Sequence, residues 1–232
     1  HSIILSDIVG DRVDMIASGP ACADCSTSAE ALAVVKKYRL RLSGAALELL
    51  QRETPKQLDN VDTLVIGSVR QLCAFAAAEA EKLGYRAVIL TDSLTCEARE
   101  AGNFLAAIAR YHADAAESLA FIAGGETVVR VTGCGLGGRN QELALGAAMA
   151  LDRDGIAAAV LSGGTDGVDG PTDAAGAIAD HTTIARAREQ GLDPHDFLRR
   201  NDTYPFFAAL GDLLITGPTH TNVGDVQVLI VG

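Results

Sequence analysis

The chain contains no tryptophan, aromatic residues make up only 4% of it, and 19 Lys and Arg stand against 30 Asp and Glu. The resulting formal net charge of −11 argues against binding along a nucleic-acid backbone, where clustered cations must meet successive phosphates. A small anionic ligand remains open, because a local basic group or a helix N-terminus overrules the global field. No apolar run approaches the ~18–20 residues of a membrane span, and no charged-then-apolar leader opens the chain, so neither a membrane partner nor a targeting segment is expected. Cysteine is sparse as well: five residues, at 22, 25, 73, 96 and 134. An odd count in a chain large enough to need no staples points to reduced thiols and a cytoplasmic setting. Cys22 and Cys25 form a C-x-x-C pair, but no second pair or histidine follows at zinc spacing, and they read as incidental loop thiols.

What is present is apolar residues, 48% of 232, and 24 glycines. That length fits one large domain or one and a fraction, and the apolar content supports a full core. The first residues, HSIILSDIVG, enter an apolar strand with no lead-in, so a segment of a longer protein is expected. Residues 2–5 read as a strand, and 28–38 and 44–52 as helices. The polar, proline-containing ETPKQLDN at 53–60 is the best linker. A regular beat follows: strand 63–67, helix 71–83, strand 86–90, helix 96–112, strand 119–123. Such βαβ alternation predicts an α/β fold with a parallel or mixed sheet covered by helices. Residues 127–132 alternate as a half-exposed antiparallel strand does. Further on, 140–151 reads as a helix, 157–162 as a buried strand, 182–190 and 205–210 as helices, and 213–219 and 226–232 as strands.

Glycine concentrates in two loops. GCGLGGRNQELAL, from Gly133, satisfies G-x-G-x-x-G between a strand and a helix. As a dinucleotide site it is weak, since the preceding strand alternates and no acidic residue ends a strand about 20 residues on. Its glycines and helix start still suit a phosphate, and Arg139 adds a planar bidentate donor there. Glu126, after Gly124 and Gly125 at a strand end, sits where α/β sheets present ligand groups. Ser6, Asp7 and Asp11 also follow a strand end, with Ser18 and Gly19 close behind. The second loop, GGTDGVDGPTDAAG at 163–176, threads Asp166, Asp169 and Asp173 through glycines. Their spacing is not that of a calcium loop, and Mg2+ held by one or two carboxylates plus substrate phosphates fits better; at least one of the three is expected to cap a helix instead. Thr219, Thr221 and Asn222 form a tight polar loop suited to a polyol or phosphate, or simply to a turn. His181, His195 and His220 lack metal spacing.

Taken together, SDIVGDRVDMIASGP at 6–20, GGET at 124–127, GLGGRNQELAL at 135–145, SGGTDGVDGPTDAAGAI at 162–178, NDTYPFF at 201–207 and GDLLITGPTHTNVGDVQVLIV at 211–231 resemble the glycerate kinases that carry a MOFRL domain. The likeness covers essentially the whole chain in order, and GGRNQE with TDG-x-DGPTDAAGA is specific. It implies the end of a first, Rossmann-like domain plus linker over 1–57 and a MOFRL-type α/β domain over 58–232. The implied reaction is glycerate and ATP to 2-phosphoglycerate and ADP with Mg2+, and a homodimer is a candidate assembly. Position by position, Arg139 matches the arginine proposed to stabilise the transferring phosphoryl group, and Asp166, Asp169 and Asp173 match the acidic metal loop. Ser6, Asp7 and Asp11 match the first-domain SD-x-VGD loop, and Ser6, Asp7, Ser18, Gly19, Glu126, Gly137, Gly138, Asn140, Thr221 and Asn222 are the implied substrate or nucleotide contacts. Family members are about twice as long, and their proposed catalytic lysine precedes the region matched here. Lys36, Lys37, Lys56 and Lys82 are poor substitutes, so the segment alone is expected to be inactive and residues 1–52 to be its less stable part. Some members are labelled hydroxypyruvate reductases, which keeps an oxidoreductase reading open beside a non-catalytic binding module.

Overall fold

A computed structural model describes residues 1–10 and 12–232. It divides into two compact units, residues 1–4 with 11–66, and residues 5–10 with 67–232. Strand β1 (Ser2–Leu5) pairs with β2 (Thr63–Gly67) in a two-stranded sheet. Between them lie helices α1 (Ser28–Tyr38) and α2 (Gly44–Leu50). Thr27 and Glu30 form a reciprocal capping box at the start of α1, and the Ser43 side chain caps α2, each satisfying backbone donors that the first turn leaves free. Among the described residues no apolar side chain of the first unit is fully buried; Ile3, Leu49, Leu64 and Ile66 are all more than half exposed.

The second unit holds the core. Its elements run α3 (Val69–Lys82), β3 (Arg86–Leu94), α4 (Ala98–Tyr111), β4 (Leu119–Gly125), α5 (Arg139–Asp154), β5 (Ala158–Gly164), β6 (Gly176–Asp180), α6 (Thr183–Glu189), α7 (Pro194–Arg200), α8 (Thr203–Leu210), β7 (Leu213–Leu214) and β8 (Asp225–Val231). Six strands form one mixed sheet in the order β3-β4-β8-β5-β6-β7. Only β3 and β4, joined through α4, are parallel; the chain's last strand inserts antiparallel between β4 and β5. The βαβ beat is therefore real but brief, and the sheet is mixed.

Strand β8 reads DVQVLIV with strict burial alternation. Its 229 and 231 side chains join Leu119, Phe121 and Val160 beneath α4 and α5, while Val226 and Val228 face Val69 and Cys73 from the opposite side. Helix α5 is apolar around most of its circumference and buries eleven residues, as expected of a helix covered on several sides. One flank meets α4 and the sheet, the other meets β6, α6, α7 and α8. Gly102 makes the α4–α5 contact possible: a Cβ there would lie 2.3 Å from the Leu143 carbonyl oxygen and 2.7 Å from the Ala147 nitrogen. Alanine in place of a mid-helix glycine ordinarily stabilises by about 0.5–1 kcal/mol. Here the backbone of α5 is in the way, and Gly102→Ala is expected to destabilise by about 1–3 kcal/mol, read as a lower denaturant midpoint at unchanged m-value.

Several local expectations need correction. Residues 127–132 form no strand; a single parallel bridge links Val128 to Glu97. The reason is an alternative set of partners. Val128 exchanges backbone hydrogen bonds with Cys96 and Ala98, and the Asn201 side-chain oxygen accepts from Thr132 N and Gly133 N. Strand β6 and helix α7 are additional elements, lying where the sequence pattern suggests loops. The strand expected over 213–219 is reduced to Leu213–Leu214.

Candidate active site

The carboxyl ends of β4 and β5, the start of β8 and the N-terminus of α5 meet at one end of the sheet's central strands. In register, Asp225 lies opposite Gly125 of β4 and Gly164 of β5. Arg139, the first residue of α5, sends its side chain to this point. Its Nε donates to Asp225 Oδ2 at 2.6 Å and its Nη2 to Asp225 Oδ1 at 3.1 Å, while Nη1 donates to Glu126 Oε1 at 2.8 Å. Asp225 is 1% exposed, Arg139 about a third and Glu126 about half. The Asp225 hydrogen bonds hold the guanidinium pKa above its usual value, so Arg139 is a permanent cation with a fixed orientation.

Beside Arg139 opens a cavity of about 730 Å3. Val9, Val128, Val129, Val131 and Pro171 give it an apolar wall; Thr95, Glu126, Thr127, Gly137, Gly138, Glu142, Asn201 and Thr203 supply its polar side. Arg139 is the only cation lining it among the described residues. The hydroxyls of Thr127 and Thr203 are buried and have no hydrogen-bond partner among the described residues.

The glycine loop before α5 serves packing within the protein. Added Cβ atoms at Gly133 and Gly135 would strike the backbone at Arg200 and Asp202, and one at Gly137 would lie 2.2 Å from Thr203 Oγ1. At Gly138 the obstacle would be the Asp169 carboxylate, also at 2.2 Å. Asp169 is 1% exposed and accepts from Asn140 N at 3.0 Å and Gln141 N at 2.9 Å. The helix N-terminus expected to receive a phosphate thus already holds an anion, the protein's own. Burial pushes the Asp169 pKa up, and the two amide donors oppose that shift.

The other two aspartates of the loop work separately. Asp166 accepts from Val168 N in an Asx turn, and Asp173 accepts from the Tyr204 hydroxyl at 2.6 Å. Among the described residues no group of three or more His, Cys, Asp or Glu side chains is arranged to hold a metal ion. As a trio Asp166, Asp169 and Asp173 do not converge on one point: their oxygens meet a turn, a helix start and a tyrosine respectively.

Of the remaining expected contacts, Glu126, Gly137, Gly138 and Arg139 converge on the cavity, and Asn140 stands behind it, accepting from the buried Ser162 hydroxyl at 2.6 Å. Ser6 is buried and donates to the Ile8 carbonyl; Asp7 is exposed; from that loop it is Val9 that reaches the cavity wall. Thr221 and Asn222 lie on an exposed turn that does not line this cavity, Thr221 N donating to Thr219 Oγ1 and Asn222 Oδ1 accepting from Gly224 N. Ser18 and Gly19 belong to the first unit, both at positive φ. Asp11 lies outside the described residues.

Three residues went unnoticed in the sequence. Asp225, at the head of an apolar strand after a turn, looks like an ordinary turn aspartate. Glu142 is buried and accepts from Arg99 Nη2 at 3.0 Å and Asn201 Nδ2 at 3.1 Å; burial raises its pKa. Asn201, in the left-handed conformation at φ 53, also receives Thr132 N and Gly133 N on its oxygen, so one amide pins the cavity loop to α5 and α7. Asn201→Ala leaves those groups unpaired and is expected to cost about 2–4 kcal/mol. Asn201→Gly keeps the backbone conformation accessible but not the bonds, and a melting comparison of the two variants separates strain from hydrogen bonding.

The fold and this site define a mixed α/β domain built around a cation held at a cavity. Comparison with known proteins agrees. Residues 119–225 match the MOFRL family and residues 1–51 a domain of unknown function, DUF4147. The D-glycerate 2-kinase of Thermotoga maritima is 50% identical over all of this chain and 55% of its own length. The glycerate kinase of Macaca fascicularis is 36% identical over 99% of this chain and 72% of its own. A crystal structure of a Thermotoga maritima glycerate kinase superposes with a TM-score of 0.94 at 48% identity, covering 99% of this chain and 56% of that one. The chain belongs to the MOFRL-domain glycerate kinase family. It spans about half the length of the first relatives it matches.

Proposed function

We propose that this chain is part of an ATP-dependent glycerate 2-kinase, with residues 1–57 ending its first domain and 58–232 forming the second. The observation that carries the reading is Arg139, a permanently charged planar fork anchored by a buried carboxylate and aimed into a cavity. Phosphoryl transfer requires charge neutralisation and positioning above all, and a guanidinium held in this way supplies both to an anionic ligand. The unpaired Thr127 and Thr203 hydroxyls suit a ligand rich in hydroxyl or phosphate oxygens. Nucleotide supplies the transferred group, and its Mg2+ would be held chiefly by phosphates and waters with one or two carboxylates. The unpaired cysteines suit a reducing, cytoplasmic setting.

A dinucleotide-dependent reductase is less well supported. Such a site uses glycines and a free helix start for the pyrophosphate, whereas here the glycines accommodate residues 200–203 and Asp169 fills the helix start. The test is glycerate-dependent ADP release by the intact protein, with 31P NMR of the product and, in parallel, hydroxypyruvate-dependent NADH oxidation. ADP release giving 2-phosphoglycerate supports the proposal; NADH oxidation alone sinks it. Residues 1–232 by themselves are expected to release no ADP, since the catalytic lysine that the resemblance implies has no match among Lys36, Lys37, Lys56 and Lys82.

A further inference from the structure

Arg139 is over-neutralised. One guanidinium faces two carboxylates, Asp225 on its Nε–Nη2 edge and Glu126 on Nη1. A third anion gains little from a cation already carrying two negative partners, so a ligand binds best when one of them leaves. The two differ in every respect that decides which. Asp225 is 1% exposed, makes two bonds to the arginine and sits on a strand paired on both sides. Removing its partner would strand a buried charge. The Glu126 side chain is half exposed, and its single bond to Arg139 is the only hydrogen bond or ion pair found for its carboxylate among the described residues. Its backbone is meanwhile held by Glu126 N donating to the Leu94 carbonyl. The side chain can swing into water without disturbing the strand end.

We propose that Glu126 is a displaceable counter-ion that occupies the ligand-facing edge of Arg139 until a more highly charged anion replaces it, while Asp225 remains in place as the positioning residue. The proposal rests on the functional reading of Arg139 given above. It also sets a selectivity. A singly charged carboxylate replaces Glu126 with no net electrostatic gain, whereas a phosphate or phosphorylated acid, carrying two or more charges, gains at the same edge. The open cavity thereby discriminates against the simple monoanions around it.

Calorimetric titration of the intact protein with 2-phosphoglycerate tests this, with acetate as the monoanion control. Glu126→Gln removes an exposed counter-ion pair worth up to about 1 kcal/mol, so the Kd for 2-phosphoglycerate is expected to fall about 3- to 6-fold. Arg139→Ala is expected to weaken binding at least about tenfold, and Glu126→Gln should then have no effect in the Arg139→Ala background. Asp225→Asn should lower kcat by a larger factor than it raises KM, because it misorients the fork without discharging it. An unchanged or weaker Kd in Glu126→Gln, with the Arg139→Ala response intact, overturns the counter-ion role alone. Binding indifferent to Arg139→Ala removes the functional reading, and the proposal with it.

Discussion

Arg139→Lys in the intact protein is expected to lower kcat by a factor on the order of 100–1,000 while raising KM far less. The size follows from geometry. Nε and Nη2 are committed to Asp225, and Nη1 bonds Glu126 at the cavity, so one planar group can satisfy a buried carboxylate and still offer a donor to a ligand. A lysine ammonium is a point charge. Drawn to the buried Asp225, it cannot also present a donor at the cavity edge, and the loss falls on charge that develops during transfer. Steady-state kinetics with glycerate and ATP decide the matter. A rise in KM with kcat intact assigns Arg139 to ground-state binding and removes it from catalysis.

Asp169→Ala is expected to destabilise the second unit by about 3–5 kcal/mol, because two helix-start amides buried with it, Asn140 N and Gln141 N, lose their acceptor. For a unit of this size that is roughly 6–20 °C in Tm. Asp169→Asn should cost only about 1 kcal/mol. It keeps one acceptor and removes a charge whose pKa burial has raised. Millimolar Mg2+ without nucleotide should leave the wild-type melting temperature where it is. A severe loss in the Asn variant, together with a Mg2+-dependent rise in wild-type Tm, would restore the acidic loop as a metal site. Thermal melts of the three proteins, with and without Mg2+, provide the comparison.

Legibility followed the range of the interactions. Helices such as α1, with its capping box, and strands such as β2 are written in contiguous residues, because the 3.6- and 2-residue periods and cap bonds act within a few positions. Residues 127–132 carry a strand pattern yet form no strand, since Val128 bonds the backbone of Cys96 and Ala98 and Thr132 N bonds Asn201, some seventy residues later. The glycines before α5 signal close approach, and their spacing suits a phosphate. What approaches, the 200–203 turn and the Asp169 carboxylate, is not visible along the chain.

By itself the sequence determined the α/β class, the existence of most of its elements, the resemblance to MOFRL-domain glycerate kinases and the singling out of Arg139. All of these depend on local pattern or on ordered short motifs. Only the tertiary structure decided what Arg139 is bonded to. Asp225 lies 86 positions away and becomes its partner because β8 inserts between β4 and β5. It likewise assigned the three aspartates of 163–176 to a turn, a helix start and a tyrosine. A carboxylate's role is fixed by what its oxygens meet after burial, and those partners come from strand order, which no window of sequence contains.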